Sequence, residues 1–227
     1  MRKHGQINRF RKLKSRKVNA INLKTKVACF KYSGQEICAV QRANMEKTMS
    51  YIQTLSGKKF NYLTATIDDI DVEDIATALS NICRFAGHLP EFYSVAQHSV
   101  LVSQIVPPEF AFEALMHDAA EAYCQDIPAP LKALLPDYQR METYIDGLIR
   151  FKFGISLEQA AVVKYADLTM LATERRDLEI DDGSKWEILE GIPCSDLVQV
   201  IPLRPGQAYG LFMNRFNELV ELRQCAA

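Results

Sequence analysis

Only four histidines occur in the chain, at positions 4, 88, 98 and 117, so imidazole chemistry has few places to reside. His117 is followed directly by Asp118, and Glu121 stands four residues from the first and three from the second. Side chains at those spacings are neighbours on a helix surface. The residues around them are apolar and mostly small: Phe110, Ala111, Phe112, Ala114, Leu115, Met116, Ala119, Ala120 and Ala122. An apolar helix with three clustered ionisable groups must bury or nearly bury them, which is costly unless the charges are paired or bound to a metal. His98 lies among Val95, Val100, Leu101 and Val102, and Asp167 is a lone carboxylate in the stretch VVKYADLTML. Each alone reads most simply as a satisfied core polar group. Together, two His and two Asp from three helices suit one divalent cation held by mixed nitrogen and oxygen ligands, with positions left for water and substrate.

Helical signals dominate the segments that carry these groups. Asp68, Asp69, Asp71, Glu73 and Asp74 load the first turn of a helix predicted within 66–83, where negative charge is favoured, and Ile75, Leu79 and Ile82 follow at helical spacing. A second helix is predicted over 94–105, ended by Pro107-Pro108, and a third over 109–124, closed by the turn at Asp126–Pro130. The short Pro-Pro connection makes those two antiparallel neighbours. Pro136 suits the first turn of a fourth helix, which carries Tyr138, Met141, Ile145, Leu148 and Ile149 and ends at Gly154. A fifth, over 156–178, has Ser156 as its expected N-cap, and a last one covers 208–222. The best strand-like run is LVQVIPL at 197–203. The expected fold is an all-α helical bundle without internal repeats.

The 227 residues suit one domain, or one domain plus a tail, and at 48% hydrophobic and 24% charged most of the chain can build a core. No apolar run is long enough to span a bilayer, and the basic N-terminus lacks the apolar core of a secretory signal. The six cysteines are widely spaced, with no C-x-x-C pair, and read as reduced thiols of a cytoplasmic protein rather than as disulfides or a structural zinc site. The net charge of −1 hides a split: residues 1–48 hold 13 Lys and Arg against 2 Asp and Glu, whereas 49–227 hold 14 against 26. A boundary is therefore expected near Met49, with 1–48 a basic extension that is poorly ordered or not part of the native protein, and 49–227 the working domain. A nucleic-acid-binding role for the basic arm, with a merely structural metal site, is the alternative from another class. A hairpin could form around Ser33-Gly34. Ser56-Gly57-Lys58-Lys59 lacks the earlier glycine and the following Ser or Thr of a P-loop.

His98, His117-Asp118 and a distant Asp167 together match the H…HD…D signature of the HD-domain phosphohydrolases. The longer stretches CRFAGHLPEFYSVAQHSVLVSQ, ALMHDAAEAYCQDIPAPLK and VKYADLTMLATERRDL resemble the branch related to bacterial and phage 5'-deoxynucleotidases, over roughly residues 50–220. The resemblance implies an HD-domain bundle whose metal ligands are His98, His117, Asp118 and Asp167, and one divalent ion, with Mn, Co, Mg, Ni and Zn not distinguished. It places the catalytic carboxylate at Glu121, the phosphate-contacting arginine at Arg84 and an aromatic near the base at Phe85, although the Arg84-to-His98 spacing is one residue shorter than in the best-known bacterial members. It places Asp126 near a deoxyribose hydroxyl and Lys132 and Lys164 towards phosphate. His88 reads either as a donor to phosphate or to a group behind the metal ligands, or as a helix-end histidine. The implied reaction is hydrolysis of deoxynucleoside 5'-monophosphates, with triphosphate hydrolysis as the alternative among enzymes, and the family often pairs as homodimers. A dinuclear site of the cyclic-dinucleotide phosphodiesterase kind needs further histidines, and none follows His117.

Overall fold

The computed structural model describes residues 51–226. The basic arm 1–48, the boundary at Met49 and the expected hairpin around Ser33-Gly34 lie outside the described residues. The described chain is mainly helical. It opens with a two-stranded antiparallel hairpin, β1 (Tyr51–Gln53) and β2 (Lys59–Asn61), in which Ile52 faces Phe60. Gly57, in the connecting turn, has φ +83°, a backbone region that glycine enters without steric cost. Asp74 anchors this turn from the first helix, accepting from the Ser56 amide at 2.8 Å and its hydroxyl at 2.6 Å.

Local sequence explains most helix starts. α1 (Val72–Asn81) is capped by Asp71, whose carboxylate accepts from the Glu73 amide at 3.0 Å. Just ahead, Thr66 and Asp69 form a reciprocal capping box over a single 3-10 turn. α2 (Val95–Ile105) is capped by Ser94, whose hydroxyl accepts from the Gln97 amide at 3.2 Å. α3 (Ala111–Met116), α4 (Glu121–Cys124) and α5 (Ala129–Lys132) are short; α6 (Pro136–Lys152) starts with Pro136 in its first turn, as expected. α7 (Ala161–Asp177) and α8 (Pro205–Ala226) complete the bundle.

α2 is the centre of the molecule. Residues 95–103 are all buried, and the helix packs against α1, α3, α7 and α8. Over 95–103 the helix has no solvent face, so every polar residue there needs a protein partner or a ligand. Gln97 meets this by bonding the backbone of residues 201 and 203 at 2.7 and 3.0 Å.

Three expectations change. The helix predicted over 109–124 is interrupted at 117–120, where 3-10-type bonds run from the Ala119 and Glu121 amides to the Met116 and Asp118 carbonyls. The helix predicted from 156 begins at Ala161 instead; the Ser156 hydroxyl caps only a local turn, accepting from Glu158 at 3.3 Å. The run 197–203 is not a strand. Side chains hold its irregular backbone: Gln97 bonds it as above, and Asp177 accepts from the Val200 amide at 2.9 Å. Its apolar alternation serves as a strap across α2 and α7. No described helix is long and apolar enough to cross a membrane.

Candidate metal centre

His98 sits on the second turn of α2, where the Ser94 cap fixes the start of the helix, and is fully buried. His117 lies in the break after α3. Its Nδ1 faces the Ala114 carbonyl at 2.8 Å, which leaves Nε2 directed away from its own backbone. Asp167 comes from α7. Its Oδ1 lies 3.3 Å from His98 Nε2 and 3.8 Å from His117 Nε2. These three side chains offer ligand atoms within 4.8 Å of one another, a group that can hold a metal ion. Asp118 stands beside them, with Oδ2 3.1 Å from His117 Nε2 and 3.6 Å from His98 Nε2.

The donor set fits a divalent cation on two further grounds. The Nε2 atoms of both histidines are buried and lack a hydrogen-bond partner, an arrangement that costs free energy unless something else occupies those lone pairs. Two neutral imidazoles and carboxylate oxygens also suit first-row divalent ions.

The electrostatics reflect the crowding. Burial disfavours a charged His117, but Asp118 and Asp167 more than offset it and raise its pKa well above the usual imidazole range. His98 is raised as well: burial and Arg84 oppose its charge, while Glu174 and Asp167 outweigh them. Burial likewise opposes ionisation of Asp118, yet His117 and His98 bring it down to about 2. Asp167 is held far below the carboxylate range by both histidines, against its burial. Glu121 goes the other way. It is buried on α4, and burial followed by Asp118 and Asp126 raises its pKa well above the usual value. Its Oε2 also has no partner. Glu121 and Asp118 line one cavity of about 260 Å³ together with His117, Lys132, Glu142 and Asp146.

The remaining expected residues fall at different distances from this centre. Arg84 is brought in by a backbone bridge between Cys83 and Ser94: the Arg84 amide donates to the Tyr93 carbonyl at 2.9 Å, and the Val95 amide to the Ile82 carbonyl at 3.1 Å. Its Nη1 lies 3.9 Å from Asp118 Oδ2. Phe85 and Ala86, at φ +56° and +52°, begin the loop with side chains in the left-handed region, a strain found where the surrounding structure fixes an unusual backbone. The turn sets the Phe85 ring 5.5 Å from the Arg84 guanidinium. His88 ends that turn and is exposed. Asp126 is half-buried, its pKa raised by burial and Asp118 against the pull of Arg84. Lys132 donates to Glu142 at 2.6 Å and stands 4.0 Å from Glu121. Lys164, largely exposed, donates to Asp167 Oδ2 at 3.2 Å.

Sequence reasoning assigned Glu174 no role. In the structure it is fully buried on α7, with Oε1 2.6 Å from His98 Nδ1 and 2.9 Å from the Tyr93 hydroxyl, and Oε2 2.9 Å from Arg84 Nη2. A signal was available: Glu174 follows Asp167 by seven residues, two helical turns, and so shares its face. Glu142 and Asp146, the acidic wall of the cavity, stand four apart on α6 and were equally open to that reading.

The fold and site thus define a mainly helical protein with a buried His/Asp group fitted to a metal ion. Comparison with known proteins narrows this to a family. The chain is 68% identical over 178 residues to the uncharacterized protein YfdR of Escherichia coli (strain K12), a match covering 78% of this chain and 100% of that one. It is 31% identical over 183 residues to an uncharacterized protein of Rhodobacter capsulatus, covering 73% of this chain and 93% of that one. The chain belongs to the YfdR family. No family model matches it.

Proposed function

We propose that this protein is a metal-dependent phosphohydrolase with an HD-domain bundle, and that it converts deoxynucleoside 5'-monophosphates to deoxynucleosides and phosphate. The observation that carries the reading is the pair of buried, unpartnered Nε2 atoms of His98 and His117 facing Asp167. Beside them lies the buried carboxylate of Glu121, at the edge of a cavity.

His98, His117, Asp167 and, as a fourth ligand, Asp118 would hold the cation. The ion's contribution is Lewis acidity, which makes water a competent nucleophile near neutral pH and offsets phosphoryl charge. The chain's own groups do the rest. Glu121 accepts a proton at its unpaired Oε2, a task suited to a carboxylate whose pKa stands above its ordinary value. Arg84 supplies a fixed guanidinium for a phosphate oxygen, since burial is opposed and its charge secured by Glu174. Lys132 lines the cavity with Glu121 and supplies a second positive charge. Asp126, whose carboxyl feels the charges of Arg84 and Asp118, would accept from a sugar hydroxyl.

Purified protein incubated with each deoxynucleoside monophosphate and Mn²⁺ or Co²⁺ is expected to release orthophosphate. Asp118→Ala and chelator should each abolish that release, and turnover indifferent to both would contradict the reading. Release of inorganic triphosphate from deoxynucleoside triphosphates would transfer the site to the alternative substrate class.

A further inference from the structure

We propose that Glu174 is a positioning residue that serves two functional groups at once: it orients His98 as a metal ligand and aims Arg84 at the anion. The inference rests on the metal-centre reading above and extends it to a residue outside the ligand set. Glu174 is wholly buried, and its two oxygens divide their partners. Oε1 takes His98 Nδ1 at 2.6 Å and the Tyr93 hydroxyl at 2.9 Å; Oε2 takes the Arg84 Nη2 and Nε groups at 2.9 and 3.3 Å.

Each half of this arrangement has a physical consequence. A carboxylate that accepts from Nδ1–H fixes the imidazole tautomer and its ring angle, so the lone pair stays on Nε2, the atom facing Asp167 and Asp118. It also makes that nitrogen a stronger donor. On the other oxygen, two guanidinium bonds use up the Nε and Nη2 edge of Arg84 and leave Nη1 pointing towards Asp118. A freely rotating arginine would lose that direction.

Charge balance supports the same role. With a divalent cation at the centre, that ion and Arg84 carry three positive charges. Asp118, Asp167 and Glu174 carry three negative ones. Arg84 and a cation held by the histidines would repel one another; Glu174 is the buried anion in contact with both Arg84 and His98. Loss of its charge therefore weakens cation and phosphate binding together, whereas loss of a ligand such as His117 acts first on the cation.

The test uses the full chain, with Mn²⁺ and inorganic phosphate as probes in titration calorimetry. Glu174→Gln keeps the size of the side chain and removes its charge. Its Mn²⁺ affinity is expected to fall about 10- to 100-fold, the usual effect of losing a carboxylate behind a ligating histidine. Phosphate affinity of the metal-loaded protein should fall about tenfold, matching the loss of charge-assisted bonds to Arg84. Met170→Ala, a fully buried change on the same helix, serves as the control for mere loss of stability; it should lower the melting temperature and leave both affinities in place. In the wild-type protein loaded with Zn²⁺, imidazole nitrogen spectra should show His98 protonated at Nδ1, a readout that needs no variant to fold. Unchanged affinities in Glu174→Gln would overturn the positioning role while leaving the metal centre intact; a Zn²⁺-loaded His98 protonated at Nε2 would overturn both, since that nitrogen could then not bind the ion. Failure of the wild type to bind Mn²⁺ would overturn both.

Discussion

Metal ions and protons compete for the same lone pairs at His98 and His117. Burial alone would keep both imidazoles neutral, but the carboxylates around them reverse that preference, most strongly at His117. A cation must therefore displace protons that the empty cluster holds above the ordinary imidazole range. The sign follows: raising the pH from about 6 to about 8 strengthens metal binding, and each ion bound releases protons. Calorimetry of Mn²⁺ binding in buffers of different ionisation enthalpy measures that release; an affinity flat across this interval would contradict the cluster's assigned role. At this scale the sequence was informative where chemistry is carried by rare residue types. Four histidines and a few carboxylates in apolar surroundings pointed to His98, His117 and Asp167, and the structure gathers these three. It assigned Glu174 no role: the place of this residue on the Asp167 face was legible, but its partners Arg84, Tyr93 and His98 come from other elements and meet it only once the chain is packed.

The elements that carry the cluster depend on packing away from it. α4 is only four residues long and cannot hold Glu121 in place by its own hydrogen bonds. Its Tyr123 ring stacks on Phe60 of β2 with centroids 4.1 Å apart, and the Tyr62 hydroxyl donates to the Tyr123 carbonyl at 2.6 Å. Phe60 is fully buried, so Phe60→Ala should cost about 3–5 kcal/mol of stability, measured by urea unfolding. A cost near zero would show that the hairpin does not support α4. Element starts were legible where the signal is local, as at Ser94 and Pro136. The break at 117–120 and the strap at 197–203 were not. The first arises where an otherwise continuous apolar helix tightens to present His117 and Asp118. The second has strand-like alternation but finds its hydrogen-bond partners on Gln97 and Asp177, far away in sequence.

For the whole molecule, the charge split along the chain has a functional counterpart. All members of the proposed site lie between Arg84 and Glu174, on the loop before α2, on α2 itself, on the segment from α3 to α5 and on α7. The match to YfdR spans the full length of that protein and 78% of this chain. A chain starting at Met49 is therefore expected to bind Mn²⁺ and release phosphate from deoxynucleoside monophosphates as the full chain does. Loss of either property on removal of 1–48 would show that the basic arm belongs to the working protein. A steep, salt-sensitive DNA or RNA affinity abolished by the same deletion would favour the nucleic-acid-binding alternative.

The central claim is that helices α2 and α7 and the turn after α3 converge on one divalent cation. Crystals of the full chain grown with Mn²⁺ and measured for anomalous scattering test it most directly. The account predicts a single strong peak within bonding distance of His98 Nε2, His117 Nε2 and an Asp167 oxygen. Well-ordered side chains at these three residues with no peak between them, in protein saturated with Mn²⁺, would contradict it.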